Sequence, residues 1–249
     1  MNPQKTVGMH RYRFLVLLLI LFVAGTTGWA QTADEVIAKY LDAIGGKEAV
    51  DKLKSQVVRG TFSLPDMGME APFESYVVLP DKSRFTVDMA NFGGASSGQN
   101  GDVVWDINPM MGPRILEGEE REASLRRSQI VEFAHWKENF AGAEVTGNLE
   151  IRGMACTEVT FTPETGSPLK AYFATDSGLL TRTITTVAGQ KTEANYTDYR
   201  DVEGIKIPFT MEIFLPQFTI SFHNDSVAHN VEIPAEKFEL PAEIQAMMK

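Results

Sequence analysis

Apolar and polar residues alternate most regularly between positions 169 and 215, where the pattern predicts four β-strands joined by three tight turns. Each turn, at 176–178, 188–190 and 202–204, contains a glycine, which adopts a positive φ without steric cost. The last of these strands alternates most clearly, because every second residue from Ile205 to Leu215 is apolar. This period is typical of an antiparallel strand with one buried face and one solvent-exposed face.

The same period predicts strands on both sides of this meander. The expected ranges are 56–64, 71–79, 82–89, 102–108, 144–151 and 155–162, with one or two more strands between 218 and 231. Residues 91–100 are rich in Gly and Ser and lack an apolar period, so they are predicted to form a mobile loop, and residues 109–113 break the strand before them. About ten or eleven strands should therefore form one large, strongly curved antiparallel sheet.

Two segments have a helical period instead. Thr32 and Glu35 form a predicted capping box, and the helix that follows should end at Gly45-Gly46. Its apolar face is formed by Val36, Ile37, Tyr40, Leu41 and Ile44. Residues 119–140 predict a second helical region of one or two helices, whose apolar stripe is interrupted by residues 126–128. The fold class is therefore mainly β (α+β), with helices that cover the concave face of the sheet.

The amino terminus predicts export from the cytoplasm. Lys5, Arg11 and Arg13 precede a short apolar run at 14–24, and small residues follow up to Ala30. This order is typical of a secretory signal peptide, and the run is shorter than the roughly 20 apolar residues of a membrane-spanning helix. We expect residues 1–30 to be a signal peptide and residues 31–249 to be a single domain. No cysteine lies directly after the apolar run, so the protein is expected to be soluble rather than lipid-anchored.

Net charge and cysteine content narrow the classes of partner. The chain has 23 basic and 33 acidic residues, and loss of the three basic residues of the signal would change its net charge from −10 to −13. A protein this acidic is not expected to bind nucleic acid or an anionic membrane surface by charge. Cys156 is the single cysteine, so no intrachain disulfide can form, and we expect it to be buried as a small apolar residue.

The sequence offers no recognisable catalytic motif. It contains neither a zinc-protease signature nor a nucleophile elbow, phosphate loop or dinucleotide fingerprint. His223, Asp225 and His229 form a local cluster of residues that can bind a metal, but their place across a predicted turn favours solvated side chains. We therefore predict no catalytic residues, no metal and no cofactor.

Large apolar side chains are more numerous than one thin sheet can hide. They are Phe62, Phe73, Phe85, Val87, Trp105, Trp136, Phe173, Ile207, Phe209, Phe218 and Phe222. All of them except Phe222 are taken as candidate cargo-binding residues. They form either an ordinary core or the wall of a lipid-sized cavity between the sheet and the helices, which is a common form of ligand site.

Several short motifs occur in a fixed order along nearly the whole chain after the signal. They are residues 40–46, 53–55 with Gly60, 80–82 with Arg84, Asn100-Gly101 with Trp105, 172–176 with Gly178-Leu179, and 196–209. In this order and spacing the chain resembles the periplasmic outer-membrane lipoprotein-sorting family (Lol carrier-like, LolA/LolB-like). The resemblance implies an unclosed β-barrel, with helices as a lid over a hydrophobic cavity that holds the acyl chains of lipoproteins in transit through the periplasm. It implies no catalytic residues.

Three classes of function follow. The first is a non-catalytic periplasmic carrier for the acyl chains of lipoproteins or other lipids, with possible envelope protein partners. The second is an envelope interaction module with a filled core, which would dock through a sheet edge or through residues 109–111. The third is an envelope hydrolase, which would require Asp88, Asp102, Asp106 or His135 on the concave face.

Overall fold

Antiparallel pairing joins thirteen strands into one sheet in the computed structural model, which describes residues 31–89 and 93–249. The strands are β1 (Ser55–Leu64), β2 (Met69–Val78), β3 (Lys82–Met89), β4 (Gly93–Asn100), β5 (Val103–Asn108), β6 (Gly112–Ile115), β7 (Gly142–Ile151), β8 (Met154–Thr162), β9 (Leu169–Ala174), β10 (Leu180–Val187), β11 (Gln190–Val202), β12 (Ile205–Phe214) and β13 (Thr219–His229). The predicted signal peptide lies outside the described residues, and the domain boundary at Ala30 remains a prediction.

The sheet is large but does not close into a barrel. Its order is β6-β5-β4-β3-β2-β1-β13-β12-β11-β10-β9-β8-β7, so every pair is adjacent in sequence except β1 and β13, which join the two halves. Among the described residues, β6 and β7 each have a single hydrogen-bonded neighbour and form the two edges. The predicted fold class, a mainly β protein with a curved, unclosed antiparallel sheet, is confirmed.

Within residues 31–89 and 93–249, five α-helices and two 3-10 turns accompany the sheet. They are α1 (Ala33–Ala43), α2 (Lys47–Val50), α3 (Gly118–Arg127), α4 (Trp136–Asn139), α5 (Ala242–Met247) and the turns Pro65–Met67 and Ala235–Phe238. The predicted capping box of α1 is present, because the Glu35 backbone N–H donates to Thr32 Oγ1 (3.2 Å) and the Thr32 N–H donates to Glu35 Oε2 (2.8 Å). The predicted apolar face of this helix is buried on the sheet.

The prediction of a mobile loop at residues 91–100 was wrong over its described part, because β4 pairs along its length with β3 and over residues 96–100 with β5. The strand lacks an apolar period for a steric reason. A side chain at Gly98 would approach Trp105 Cζ2 to 2.9 Å and the Ser83 carbonyl oxygen to 2.5 Å. The strand therefore packs through its backbone against an indole ring. Strand β6 was also missed, since it begins inside the predicted break at 109–113.

The helical region predicted at 119–140 forms two helices, α3 and α4, separated by residues 128–135. This connecting segment enters the main core, where Val131, Phe133 and Ala134 are buried. The segment from 118 to 139, called the lid segment below, follows the edge strand β6 and precedes the edge strand β7 in the chain.

Candidate functional site: a cavity between the sheet and the lid segment

The lid segment is attached at both sides of the opening in the sheet. On the β6 side, Arg114 donates hydrogen bonds to Asp106 on β5 (3.2 Å) and to Glu120 on α3 (3.3 Å). On the other side, the backbone N–H of Ser167, in the β8–β9 connection, donates to Glu119 of α3 (3.2 Å). Helix α3 therefore lies over the concave face, between the β5–β6 side of the sheet and the β8–β9 connection.

One half of the concave face is filled. In this half, which we call the filled half, strands β8 to β12 pack against α1 and the lid segment. Phe133 is 0 % exposed and stacks on Phe161, with ring centroids 4.6 Å apart, while Phe173 meets it edge-on at 5.8 Å. Tyr40 from α1 completes this aromatic group at 5.3 Å from Phe173. Burial of these rings anchors both helical elements on the sheet.

The other half, called the open half, comprises β1 to β4 and β13. Its concave face carries a cluster of four phenylalanines whose ring centroids lie 5.4–5.8 Å apart. They are Phe62, Phe73, Phe85 and Phe222. Phe62 and Phe73 are buried, but Phe85 and Phe222 are only half-buried. The apolar surface of the open half is therefore incompletely covered.

A cavity of about 690 Å³ lies between the two halves and the lid segment. This volume falls within the roughly 300–1,000 Å³ of typical ligand sites. Its apolar wall is formed by Val58, Phe73, Val77, Phe85, Ile130, Val131, Leu180, Ile207, Met211, Ile213 and Phe222. Hydroxyl side chains interleave with this wall, among them Ser97, Thr183 and Thr185. The site is thus a mainly apolar cavity with a few convergent polar groups.

Four polar side chains line the cavity beside the lid segment, and they are called the polar corner: Arg126, Arg127, Glu132 and Tyr196. Burial raises the pKa of Glu132 from 4.5 to about 7, and the charges of Arg127 and Arg126 oppose that rise. Burial also lowers the pKa of Arg126, whose guanidinium lies 5.4 Å from the centre of the Phe140 ring. In the part of the chain that the structure describes, no ion pair satisfies either of these two charges.

Tyr196 is the β11 member of the polar corner. Burial and the nearby carboxyl of Glu132 raise its pKa above the usual tyrosine range, so the phenol keeps its proton. Its hydroxyl lies 3.1 Å from Thr183 Oγ1, on the neighbouring strand β10. A neutral phenol of this kind is a hydrogen-bond donor at the cavity surface.

The ten candidate cargo-binding residues separate into several groups. Phe73, Phe85 and Ile207 line the cavity. Phe62 and Val87 pack within the aromatic cluster of the open half. Trp136, Phe173 and Phe209 belong to the core of the filled half. Phe218 lies half-buried in the turn between β12 and β13.

Trp105 lies on the other face of the sheet. Its cross-strand partner is Gly98, whereas Phe85 pairs with Ser97, so strand alternation places Trp105 and Phe85 on opposite faces. Trp105 is 1 % exposed, and the Arg84 guanidinium lies over its ring at 5.1 Å. Arg84 in turn donates to the carbonyl of Glu239, in the carboxy-terminal segment.

Sequence reasoning did not select the polar corner. The one available signal was the interruption of the predicted helical stripe at 126–128, which includes both of its arginines. Glu132 gave no signal, because a single glutamate between two apolar residues is ordinary in sequence. Only the three-dimensional position of the lid segment turns its carboxyl toward an apolar cavity.

The four residues that the hydrolase hypothesis requires do not lie together in one site. Asp106 does line the cavity, but its carboxylate is ion-paired with Arg114. His135 faces Asp51 (3.7 Å) and Glu138 (3.8 Å). Asp88 and Asp102 do not line this cavity.

The possible metal ligands near the carboxyl end lie on a strand, not across a turn as predicted. His223, Asp225 and His229 all belong to β13, and His229 is buried against Gln56, with 3.2 Å between Nε2 atoms. In residues 31–89 and 93–249, no group of three His, Cys, Asp or Glu side chains could hold a metal ion. Cys156 is buried and free, as predicted.

Comparison with known proteins places the fold. No family model matches the sequence, and no curated protein matches it. A LolA superfamily protein from Nitrosomonas europaea matches 85 % of this chain and 99 % of its own length, with a TM-score of 0.56 and 12 % identity. A DUF1329 family protein from Desulfovibrio piger matches 83 % and 96 %, with a TM-score of 0.58 and 14 % identity.

A third solved structure agrees with these two. It is a putative outer membrane lipoprotein-sorting protein domain from Vibrio parahaemolyticus, which matches 81 % of this chain and 97 % of its own, with a TM-score of 0.52 and 10 % identity. The chain therefore has a LolA/LolB-like fold, and the resemblance seen in the sequence is confirmed at that level. None of the helices within the described residues is long and apolar enough to cross a membrane.

Proposed function

We propose that this protein is a non-catalytic carrier of hydrophobic cargo in the periplasm, and that its cavity takes the acyl chains of lipoproteins or other lipids. One observation carries the proposal, namely the cavity of about 690 Å³ whose wall is mainly apolar and includes the half-buried Phe85 and Phe222. Burying one acyl CH₂ group in such a site is worth about 0.8 kcal/mol. The LolA-like fold and the predicted signal peptide support the same function.

The two rival classes have less support. An interaction module was expected to have a filled interior, and the cavity argues against this, although Met110 at 89 % exposure does form an apolar tip. A hydrolase would need a free pair of carboxylates, whereas Asp106 and Glu120 in the cavity wall both bind Arg114.

Native mass spectrometry of the signal-cleaved protein, purified from a periplasmic extract without detergent, tests the carrier proposal. We expect extra mass that organic solvent removes as phospholipid, fatty acid or lipopeptide. Thr185 and Thr186 on β10 offer a matched pair of variants, because Thr185 lines the cavity and Thr186 points to the other face. Thr185→Trp should reduce the bound mass, whereas Thr186→Trp should not.

A bare polypeptide mass that does not increase on addition of fatty acid or lipopeptide would overturn the proposal. Equal loss of cargo in both tryptophan variants would also count against it, because the cargo would then lie outside the cavity. In either case the exposed Met110 tip would become the next surface to test.

A further inference from the structure

We infer that the polar corner receives an anionic group, a carboxylate or a phosphate, carried at the end of the bound acyl chain. This inference rests on the proposed carrier function and names the class of cargo that the cavity selects. It is carried by the position of Arg126, Arg127, Glu132 and Tyr196 on one side of an otherwise mainly apolar cavity.

The first supporting observation is a cation without a counter-ion. Arg126 is partly buried at the cavity wall, and its guanidinium packs over the Phe140 ring. Within the described residues its charge has no carboxylate within ion-pair distance. Arg127 forms no ion pair there either, but this residue is exposed. A desolvated guanidinium is costly unless an anion accepts its hydrogen bonds, and arginine matches carboxylate and phosphate geometry well.

The second observation is a carboxyl that is held without a partner beside these arginines. Glu132 follows Val131 and precedes Phe133, both buried in the core, so its position is fixed by its neighbours. Because burial raises its pKa to about 7, the carboxyl is largely protonated below neutral pH. In that state it can donate a hydrogen bond, as the neutral phenol of Tyr196 can, so that the charges and donors of the polar corner together favour an anion.

Apart from the exposed Lys206, the remaining charged groups of the cavity are already engaged. Arg114 binds Asp106 and Glu120, and Arg84 is held by Trp105 and the Glu239 carbonyl. Lys206 also lines the cavity, but on β12 and on the exposed side of that strand. Two arginines of α3, Arg126 and Arg127, oppose the rise in the pKa of Glu132. The charge of Glu132 in turn helps to raise the pKa of Tyr40 on α1 and of Tyr196 on β11.

The test compares probes that differ only in their head. Titration calorimetry with a monoacylglycerol and a lysophosphatidic acid of the same chain length isolates the effect of the phosphate, and a fatty acid and an alkylamine of that length test a carboxylate and a cation. We expect the two anionic probes to bind at least ten-fold more tightly than the monoacylglycerol at pH 6. Inorganic phosphate alone should compete weakly, because most of the binding comes from the chain.

Substitutions on α3 test whether Arg126 and Arg127 cause the preference for anionic probes. Arg126→Gln combined with Arg127→Gln should reduce the ten-fold preference for the anionic probes to about two-fold or less. Arg121→Gln is the matched control on the same helix, because Arg121 pairs with Glu122 (2.7 Å) and does not line the cavity. That variant should keep the full preference, and its thermal unfolding provides the reference for correct folding.

The pH dependence tests Glu132 separately. An alkyl sulfonate keeps its charge throughout, so its affinity should fall severalfold between pH 6 and pH 8 as Glu132 ionises, and Glu132→Gln should remove this dependence. Equal affinity for anionic and neutral probes, a preference for the alkylamine, or an unchanged preference in the double arginine variant would overturn the inference while leaving the carrier function intact. Failure of every acyl probe to bind would instead overturn the carrier function.

Discussion

The filled half and the open half of the concave face are built from similar antiparallel strands, yet they differ in what covers them. In the filled half, α1 and the lid segment supply Tyr40 and Phe133, which close over Phe161 and Phe173. In the open half, the cluster around Phe85 and Phe222 contains, among the described residues, strand residues alone, and both of these rings remain half-buried.

This difference separates stability from binding. The filled half has its apolar surface already removed from water, so its side chains stabilise the fold. The open half retains apolar surface whose burial is still available, and a bound acyl chain can bury it. The lid segment contributes to both functions, since Phe133 belongs to the core and Glu132 borders the cavity.

The largest expected effect comes from removing the anchor of the lid segment. Phe133→Ala deletes a ring that is 0 % exposed, so it should lower the free energy of unfolding by about 3–5 kcal/mol. Urea denaturation followed by circular dichroism measures this loss. Phe133→Leu keeps most of the apolar volume and should lose clearly less; equal losses in the two variants would mean that the stacked ring is not what anchors the segment.

A smaller change in the free energy of unfolding is expected from the ionisation of Glu132, whose carboxyl borders the cavity. Because the pKa of Glu132 is raised from 4.5 to about 7 in the folded state, the folded protein binds this proton more tightly than the unfolded chain. The resulting stability is fully present below about pH 4.5 and is lost as pH rises through about 7. Relative to Glu132→Gln, the wild type should therefore lose on the order of 2–3 kcal/mol between pH 5 and pH 8.

Parallel urea titrations of the two proteins at pH 5, 6, 7 and 8 measure this difference. The glutamine variant removes only the titrating group, so the pH dependence of all other groups cancels in the comparison. Identical pH profiles for both proteins would show that Glu132 is well solvated and does not face an apolar cavity.

Most of the fold could be predicted because its signals are local. Helix α1 has its capping box and its apolar face within thirteen consecutive residues, and β12 repeats its alternation without interruption. The strand β4 could not be predicted in this way, because its pairing depends on Trp105, which covers Gly98 from the neighbouring strand. Its sequence alone has the composition of a loop.

The site was only partly predictable for a related reason. An apolar residue on a strand indicates burial, but it does not indicate which face of the sheet the side chain occupies or which element covers it. Trp105 and Phe85 are both buried or half-buried aromatic residues, yet the carboxy-terminal segment lies beside the first and the cavity beside the second. The polar corner depends on where residues 128–135 enter the core, which is a property of tertiary packing.

Removal of a ring from the open half should mainly weaken cargo binding, whereas removal of a ring from the filled half should mainly lower stability. Phe85→Ala removes a half-buried ring, so we expect a loss of only about 1–2 kcal/mol in stability. The same change removes apolar wall from the cavity and should weaken acyl-chain binding roughly ten-fold. Calorimetric titration with a monoacylglycerol measures binding, and urea denaturation of Phe85→Ala and Phe133→Ala compares the two losses of stability. A stability loss as large as that of Phe133→Ala would abolish the distinction between the halves.

The smallest effect is expected from the exposed charges that connect the lid segment to α1. Lys137 and Asp34 form an ion pair of 2.9 Å, but their side chains are 65 % and 62 % exposed. Solvent screens such a pair, so Lys137→Ala should change the free energy of unfolding by less than about 0.5 kcal/mol. Amide hydrogen exchange in α3 and α4 should likewise stay unchanged. A loss near 2 kcal/mol, with faster exchange across the segment, would mean that charge rather than the burial of Phe133 holds the segment on the sheet.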